Sequence, residues 1–211
     1  GLHPVMLKGG RVVIPSAFDP QAFPELVEKY RVTHTVLVPT MLQMILDAPE
    51  AKAHDLSSLC AVTTGGSPLS ATLLERGRQL IGDVFYPIYG MAEMYACATI
   101  LRPEDQFTDG TEQQRRQLSS VGKPMVLTQV RVVGENGLDV PPDGRTAGEI
   151  WLAGDPVSSG YFRMPDETEK SRHDGWFKTG DVAVVDGERF ITIVDRLKDM
   201  IITGGINVFS V

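Results

Sequence analysis

Cysteine, histidine and tryptophan are scarce in this sequence, with two, four and two among 211 residues. Two cysteines, Cys60 and Cys97, cannot build a disulfide framework, which points to a reducing, cytoplasmic setting. Both stand among apolar neighbours and read as small buried hydrophobes. The histidines (His3, His34, His54 and His173) are scattered and read as surface or packing residues; no Cys/His set has zinc spacing. No apolar run is long enough to span a bilayer. The opening GLHPVMLKGG lacks the basic start, long apolar core and cleavage site of a signal peptide. A formal net charge of −7 with no basic tract argues against a nucleic-acid partner, so an anionic ligand needs a local positive site. The phosphate-loop pattern GxxxxGK[ST] is missing, because Gly122-Lys123 is followed by Pro124, and neither GxGxxG nor HExxH occurs. There is no initiator Met, and GGINVFSV breaks off within an apolar run, so the chain is expected to be a piece of a longer protein.

Hydrophobic pattern is plentiful. In the first half it alternates between strand and helix. RVVIP reads as a short strand and FDPQAFPELVEKY as a helix capped by Asp19, with Phe23, Leu26, Val27 and Tyr30 at helical spacing. HTVLVP reads as a strand, TMLQMILDAP as a helix, and SSLCAVTTGG as a buried strand. A helix follows from Ser67 or Ser70, and then the strand DVFYPIYG. Strands alternating with helices imply a mostly parallel sheet flanked by helices, an α/β fold. From about residue 101 the texture changes. LRPEDQFTDGTEQQRRQLSS has no apolar periodicity and reads as a long loop. TQVRVVGENG, GEIWLAGD, DVAVVDG and ERFITIVD then read as short alternating strands of a small β-barrel-like subdomain, the last two joined by a hairpin turn at Asp186-Gly187. The expected division is 1–124, 125–195 and 196–211.

Four stretches carry candidate chemistry, and each has a plain reading when taken alone. TTGGSPLS, Thr63 to Ser70, runs from a strand into two glycines that let a backbone approach a ligand; it also reads as an ordinary strand-to-helix turn with Pro68 at the first helical position. FYPIYGMAEM sets Tyr89, able to stack on a flat ring, before Gly90 and Glu93, whose hard oxygens suit Mg²⁺; it also reads as a core aromatic and a solvated carboxylate. In DGWFKTGD, Asp181 can accept two hydrogen bonds, as two ribose hydroxyls require, or be a turn residue after Gly180. In DRLKDMIITGGIN, Arg196 is a permanently charged fork suited to sugar or phosphate oxygens, within what also reads as a solvated charged turn.

The order and separation of these stretches, TTGGSPLS, YGMAE, GEIWLAG…GY, GWFKTGD and DRLKDMIITGGINV, resemble the successive signature motifs of the adenylate-forming superfamily over nearly the whole chain. The superfamily includes acyl- and aryl-CoA synthetases, luciferases and peptide-synthetase adenylation domains. The resemblance implies a piece of the large N-terminal domain of an enzyme using ATP, Mg²⁺ and coenzyme A. A small-molecule carboxylic acid attacks the α-phosphorus of ATP, pyrophosphate leaves, and the acyl group passes from AMP to a thiol. It implies that Asp181 holds both ribose hydroxyls with Arg196 supporting the sugar. Tyr89 stacks on adenine against Gly65, Gly66, Ser67 and Pro68, with Gly90 and Ala92 on the phosphate side. Glu93 holds Mg²⁺; Thr40, Met41, Gly65 and Gly66 border the acyl pocket. Lys198 is the hinge about which a C-terminal domain rotates, and Gly204 and Gly205 lie in the loop brought to the active site for thioester formation.

Ala92 stands where the family usually has a threonine, although some fatty-acyl-activating relatives carry alanine there. The phosphate loop would precede Gly1 and the catalytic lysine would follow Val211. This stretch alone is therefore expected to be nearly inactive and, with apolar surface left uncovered, able to self-associate. Two alternatives stay open: an adenylation domain loading a carrier protein, and a non-catalytic adenylate-binding module.

Overall fold

The computed structural model describes every residue except Gly1, Ala96, Thr108, 197–200, 204–205 and 209–211; for 2–4, 201–203 and 206–208 it describes the backbone alone. The chain forms two compact units, Gly1–Tyr86 and Pro87–Val211.

The first unit is built of helix and strand in alternation: α1 (Leu2–Leu7), α2 (Ala22–Tyr30), β1 (His34–Leu37), α3 (Pro39–Asp47), β2 (Ala61–Thr64) and α4 (Ala71–Ile81). The strands β1 and β2 pair in parallel, with His34 opposite Ala61 and Leu37 opposite Thr64. The interior is apolar, with Val27, Leu42, Ile45, Val62 and Leu74 at or near zero exposure. Burying each such side chain contributes about 1.5–3 kcal/mol. Asp19 is not the cap itself, which is Gln21, but its carboxylate accepts from the amides of Gln21 and Ala22 in the turn that leads into the helix at Ala22. Of the two candidate starts of α4 the structure uses Ser70, whose hydroxyl accepts from the Leu73 amide. Pro68 therefore lies in the loop ahead of the helix. Gly77 of α4 is required by close packing, since a Cβ there would stand 2.6 Å from the Phe85 ring.

Two expectations fail in this unit. RVVIP forms no strand: residues 11–15 are irregular and Ile14 is 75% exposed. β-branched residues favour a strand only where a neighbour is available to pair and pack, and none does so here. Cys60 is exposed rather than buried, because it precedes the buried part of β2.

The chain passes between units within β3 (Phe85–Tyr89). In the second unit follow β4 (Thr99–Ile100), α5 (Glu112–Gln117), β5 (Lys123–Pro124), β6 (Gln129–Val133), β7 (Gly148–Ala153), α6 (Pro165–Lys170), β8 (Arg172–His173), β9 (Trp176–Val185), β10 (Ile191–Arg196), β11 (Ile201–Thr203) and β12 (Ile206–Val208). Tyr89 pairs antiparallel with Thr99, and Thr99 with Pro124. The expected β-rich subdomain is an antiparallel sheet ordered β10-β9-β7-β6, with β8 beside β9. The two groups of strands are tied where the Val121 amide donates to Ile191 O and the Ile191 amide to Gly122 O. Gly122 is mandatory there. Its φ is +78°, and a Cβ would fall 1.9 Å from Ile100 O. Met94, Ala98, Val132, Ile150, Leu152, Ala183 and Ile191 form the core of this unit.

Two readings change. The stretch 101–120 is not all loop: α5 lies within it, started by a capping box between Thr111 and Gln114. That signal is a T-x-x-Q spacing and does not depend on apolar periodicity. The hairpin between β9 and β10 exists but is longer than a two-residue turn. Asp186 O accepts from the Arg189 amide, its carboxylate accepts from Glu188 and Phe190, and Arg189 takes φ +69°. The tight Asp-Gly hairpin is instead at Asp174-Gly175 between β8 and β9, where both residues have positive φ, the mirror-image turn that suits strand twist.

Candidate active site

Asp181 sits in β9 where the pairing with β7 slips. Glu149 faces Val182 and Trp151 faces Lys178, so two steps along β7 oppose four along β9. The surplus is a bulge through Thr179-Gly180-Asp181, not a turn. Gly180 supplies the left-handed residue, at φ +75°. Bulges re-aim side chains, and this one is satisfied by neighbours. The Gly180 amide donates to Glu149 Oε1 at 2.9 Å, and the Asp181 amide to Thr179 Oγ1 at 3.1 Å. The Thr179 hydroxyl in turn donates to Ile150 O at 2.8 Å. Glu149 Oε2 also accepts from the Trp151 indole at 2.8 Å.

On the other edge, β10 carries its own irregularity between Ile193 and Asp195, after which Arg196 falls directly opposite Asp181. Arg196 Nε donates to Asp181 Oδ1 at 2.8 Å. The Tyr89 hydroxyl, from the end of β3, donates to Asp181 Oδ2 at 2.7 Å. The carboxylate is therefore gripped on both oxygens while only 4% of the residue is exposed. Burial pushes the Tyr89 phenol well above the usual tyrosine range, and the adjacent Asp181 charge pushes the same way. A buried, oriented carboxylate with unused lone pairs beside a ring and a guanidinium can accept from paired hydroxyls of a sugar.

Glu93 lies in a single 3₁₀ turn, Ala92–Met94, after Gly90 and Met91, and has other partners. Its Oε1 accepts from the Tyr161 hydroxyl at 3.0 Å and its backbone O from the Ser158 amide at 2.6 Å. Burial and the Glu93 carboxylate raise the Tyr161 phenol. Ala92 is exposed. Among the described residues no group of three or more His, Cys, Asp or Glu side chains could hold a metal. One carboxylate without a protein cage fits Mg²⁺ carried largely by phosphate oxygens and water, the usual way this ion is bound.

In the first unit the strand pairing brings two predicted segments together. Leu37 opposite Thr64 means that the segments starting at Val38 and at Gly65 both leave the carboxyl ends of neighbouring parallel strands. Gly66 takes φ +85°, and a Cβ there would lie 3.6 Å from Val38 Cγ1. Thr40 is exposed, Met41 half-buried in the first turn of α3, and Ser67 and Pro68 exposed. Lys198, Gly204 and Gly205 lie outside the described residues.

Glu149, Tyr161 and Thr179 lie inside the motifs GEIWLAG…GY and GWFKTGD, but sequence reading gave them, and Ser158, no role. Gly180 within a strand was the available sign of the bulge. The Tyr161–Glu93 contact spans 68 positions and left no local sign. Cys97 has its thiol pushed up to about 11 by burial and lies with its Sγ 3.0 Å from Met125 Sδ, an inert setting.

Residues 1–162 match the family model for the AMP-binding enzyme. The chain is 37% identical over 206 residues to a medium/long-chain fatty acid–CoA ligase of Mycobacterium tuberculosis, covering 98% of this chain and 34% of the ligase. It is 41% identical to a feruloyl-CoA synthase of Amycolatopsis, covering 98% and 40%. Among solved structures, the o-succinylbenzoate coenzyme A synthetase of Bacillus subtilis in complex with ATP and magnesium superimposes with a TM-score of 0.82 at 28% identity, over 99% of this chain and 41% of that one. The chain thus spans between 34% and 40% of the length of those two ligases. On this match and on the motifs that carry the site, the chain belongs to the AMP-binding enzyme family.

Proposed function

We propose that the whole protein is an ATP-dependent acid–thiol ligase, an acyl-CoA synthetase working through an acyl-adenylate. The observation that carries this is the Asp181 carboxylate held between Tyr89 and Arg196. In this reading Asp181 accepts from the two ribose hydroxyls, Arg196 steadies the sugar, and Tyr89 offers its ring to adenine. Gly65, Gly66, Ser67 and Pro68 supply close backbone, Gly90 and Ala92 border the phosphates, and Thr40 and Met41 line the acyl pocket with Gly65 and Gly66. Glu93 holds Mg²⁺, which, when bound, neutralises phosphate charge as carboxylate and α-phosphorus meet. Lys198 acts as the hinge, and coenzyme A is the thiol.

The division into 1–124, 125–195 and 196–211 belongs to this proposal. It is supported by strand membership: β5 ends at Pro124, and the β10-β9-β7-β6 sheet runs from Gln129 to Arg196. A cytoplasmic setting is supported by two unbridged thiols, and self-association by exposed apolar side chains such as Leu7 and Phe162. Among the described residues no helix is long and apolar enough to cross a membrane. Ala92, lacking a hydroxyl for the α-phosphate, favours a second reading, an adenylate-binding module without turnover.

The test is mass-spectrometric detection of acyl-AMP, then acyl-CoA, from the full-length protein with ATP, Mg²⁺ and a panel of fatty and aromatic acids. Product that disappears in Asp181→Ala is expected. ATP binding without product would leave the module, and no ATP binding would sink both.

A further inference from the structure

Glu93 is held at both ends by one loop. Ser158 donates its amide to the Glu93 main chain, and Tyr161, three residues on, donates its hydroxyl to the Glu93 carboxylate. The loop is pinned in turn. Arg172 Nη2 donates to Ser158 O. The Tyr161 amide donates to Thr168 Oγ1 at 2.9 Å, and the Thr168 hydroxyl to Met164 O at 2.9 Å. Gly160 makes this fit possible: its φ is +147°, and a Cβ would stand 2.4 Å from Thr168 Cγ2. A chain of contacts therefore runs from α6 and β8 through residues 158–161 to one carboxylate. Nothing in the packing demands a hydroxyl on Tyr161, a residue that is 38% exposed. Its hydroxyl spends its donor on Glu93 and leaves the other carboxylate oxygen for a ligand.

We propose that Tyr161 is a positioning residue for Glu93: its hydroxyl fixes the carboxylate rotamer so that Oε2 faces the Mg²⁺ of bound Mg²⁺–ATP. The inference rests on the reading of Glu93 given above. Removing a partner that orients a metal-bound carboxylate commonly costs about tenfold or more in metal affinity or activity, and because the Tyr161 hydroxyl touches only the carboxylate the loss here falls on metal affinity.

The experiment uses the full-length protein and two readouts, acyl-AMP formation against free Mg²⁺ and Mn²⁺ binding in the presence of ATP by electron paramagnetic resonance. Tyr161→Phe is expected to raise the half-saturating metal concentration roughly tenfold in both. The rate at saturating Mg²⁺ should fall much less, and Glu93→Gln should act more strongly in the same direction. Thr168→Val removes the acceptor of the Tyr161 amide without touching the phenol, and is expected to act the same way but more weakly. It also serves if Tyr161→Phe unfolds, as thermal melting would reveal. Metal dependence unchanged in Tyr161→Phe and Thr168→Val but altered in Glu93→Gln would overturn the positioning role and spare the reading of Glu93. Metal dependence unchanged in Glu93→Gln would overturn that reading, and the inference with it.

Discussion

Two tyrosine–carboxylate pairs in the second unit have the same hydrogen bond and opposite surroundings. Tyr89 donates to Asp181 inside the protein, where a guanidinium takes the second oxygen. Tyr161 donates to Glu93 near the surface, and the other carboxylate oxygen has no partner among the described residues. A buried carboxylate has to be matched on both oxygens or burial is costly. A half-exposed one can leave an oxygen to water and exchange it for a ligand. The first pair is thus matched on both oxygens and the second is held on one with the other open to exchange, and substitutions should separate them.

Asp181→Ala should have the largest effect. It strips partners from a buried phenol and a guanidinium, and is expected to cost about 2 kcal/mol in denaturant unfolding. In the proposed function it also lowers kcat/KM for ATP by roughly 100-fold, since two charge-assisted hydrogen bonds to the sugar go. A loss of stability with ATP kinetics intact would break the comparison.

Tyr89→Phe is expected to cost about 1–2 kcal/mol, because Asp181 Oδ2 is left buried without its donor. It also has a signature in base. The folded phenol ionises at higher pH than an unfolded tyrosine, which titrates near about pH 10. Above that pH the unfolded state has released a proton that the folded state keeps, so stability falls as pH rises. Urea unfolding from pH 8 to 11 should show a steeper decline in wild type than in Tyr89→Phe. Equal slopes would mean that the phenol is not buried as described.

Arg196→Lys should do less. The arginine side chain is 53% exposed while that of Asp181 is 6% exposed. Solvent screening at the arginine holds the stability change below about 1 kcal/mol, and the point charge survives while the fork is lost. A few-fold rise in KM for ATP is the expected readout.

Asp143 is an outlying reference with no tyrosine. The Thr146 amide, its hydroxyl and the Arg145 amide hold this exposed carboxyl down to about 2. Its folded value is depressed, so its contribution is present above the unfolded value and is lost as pH falls through about 2. Asp143→Ala should melt slightly below wild type at pH 6, with the gap gone near pH 2.

Much of this was legible in the letters. Alternation gave β6, β7, β9 and β10, because each packs one face on a core and the period of two survives in the side chains. The glycine after Thr179 marked the bulge but not what it aims, since Glu149 and Arg196 reach Asp181 and its bulge only through strand register. RVVIP misled because propensity does not supply a pairing partner, and α5 was missed because a short surface helix started by a capping box carries no apolar stripe. The Asp-Gly signal at Asp186-Gly187 found its hairpin but not the length of the loop, and the tighter one at Asp174-Gly175 was not read. The grip on Glu93 from residues 158–161 was invisible, because contacts between distant loops leave no periodic trace.

The tie between Val121, Gly122 and Ile191 closes a ring of hydrogen bonds through the second unit. The circuit runs from Tyr89 across β4 and β5, over to β10 and β9, and back through Asp181 to the Tyr89 hydroxyl. Within that circuit the link from Tyr89 to Asp181 is made of side chains, and shear between the two groups of strands would stretch it. The phenol is therefore a native strain gauge, and the ultraviolet difference between wild type and Tyr89→Phe would isolate its response to sliding of the sheets from that of the other four tyrosines.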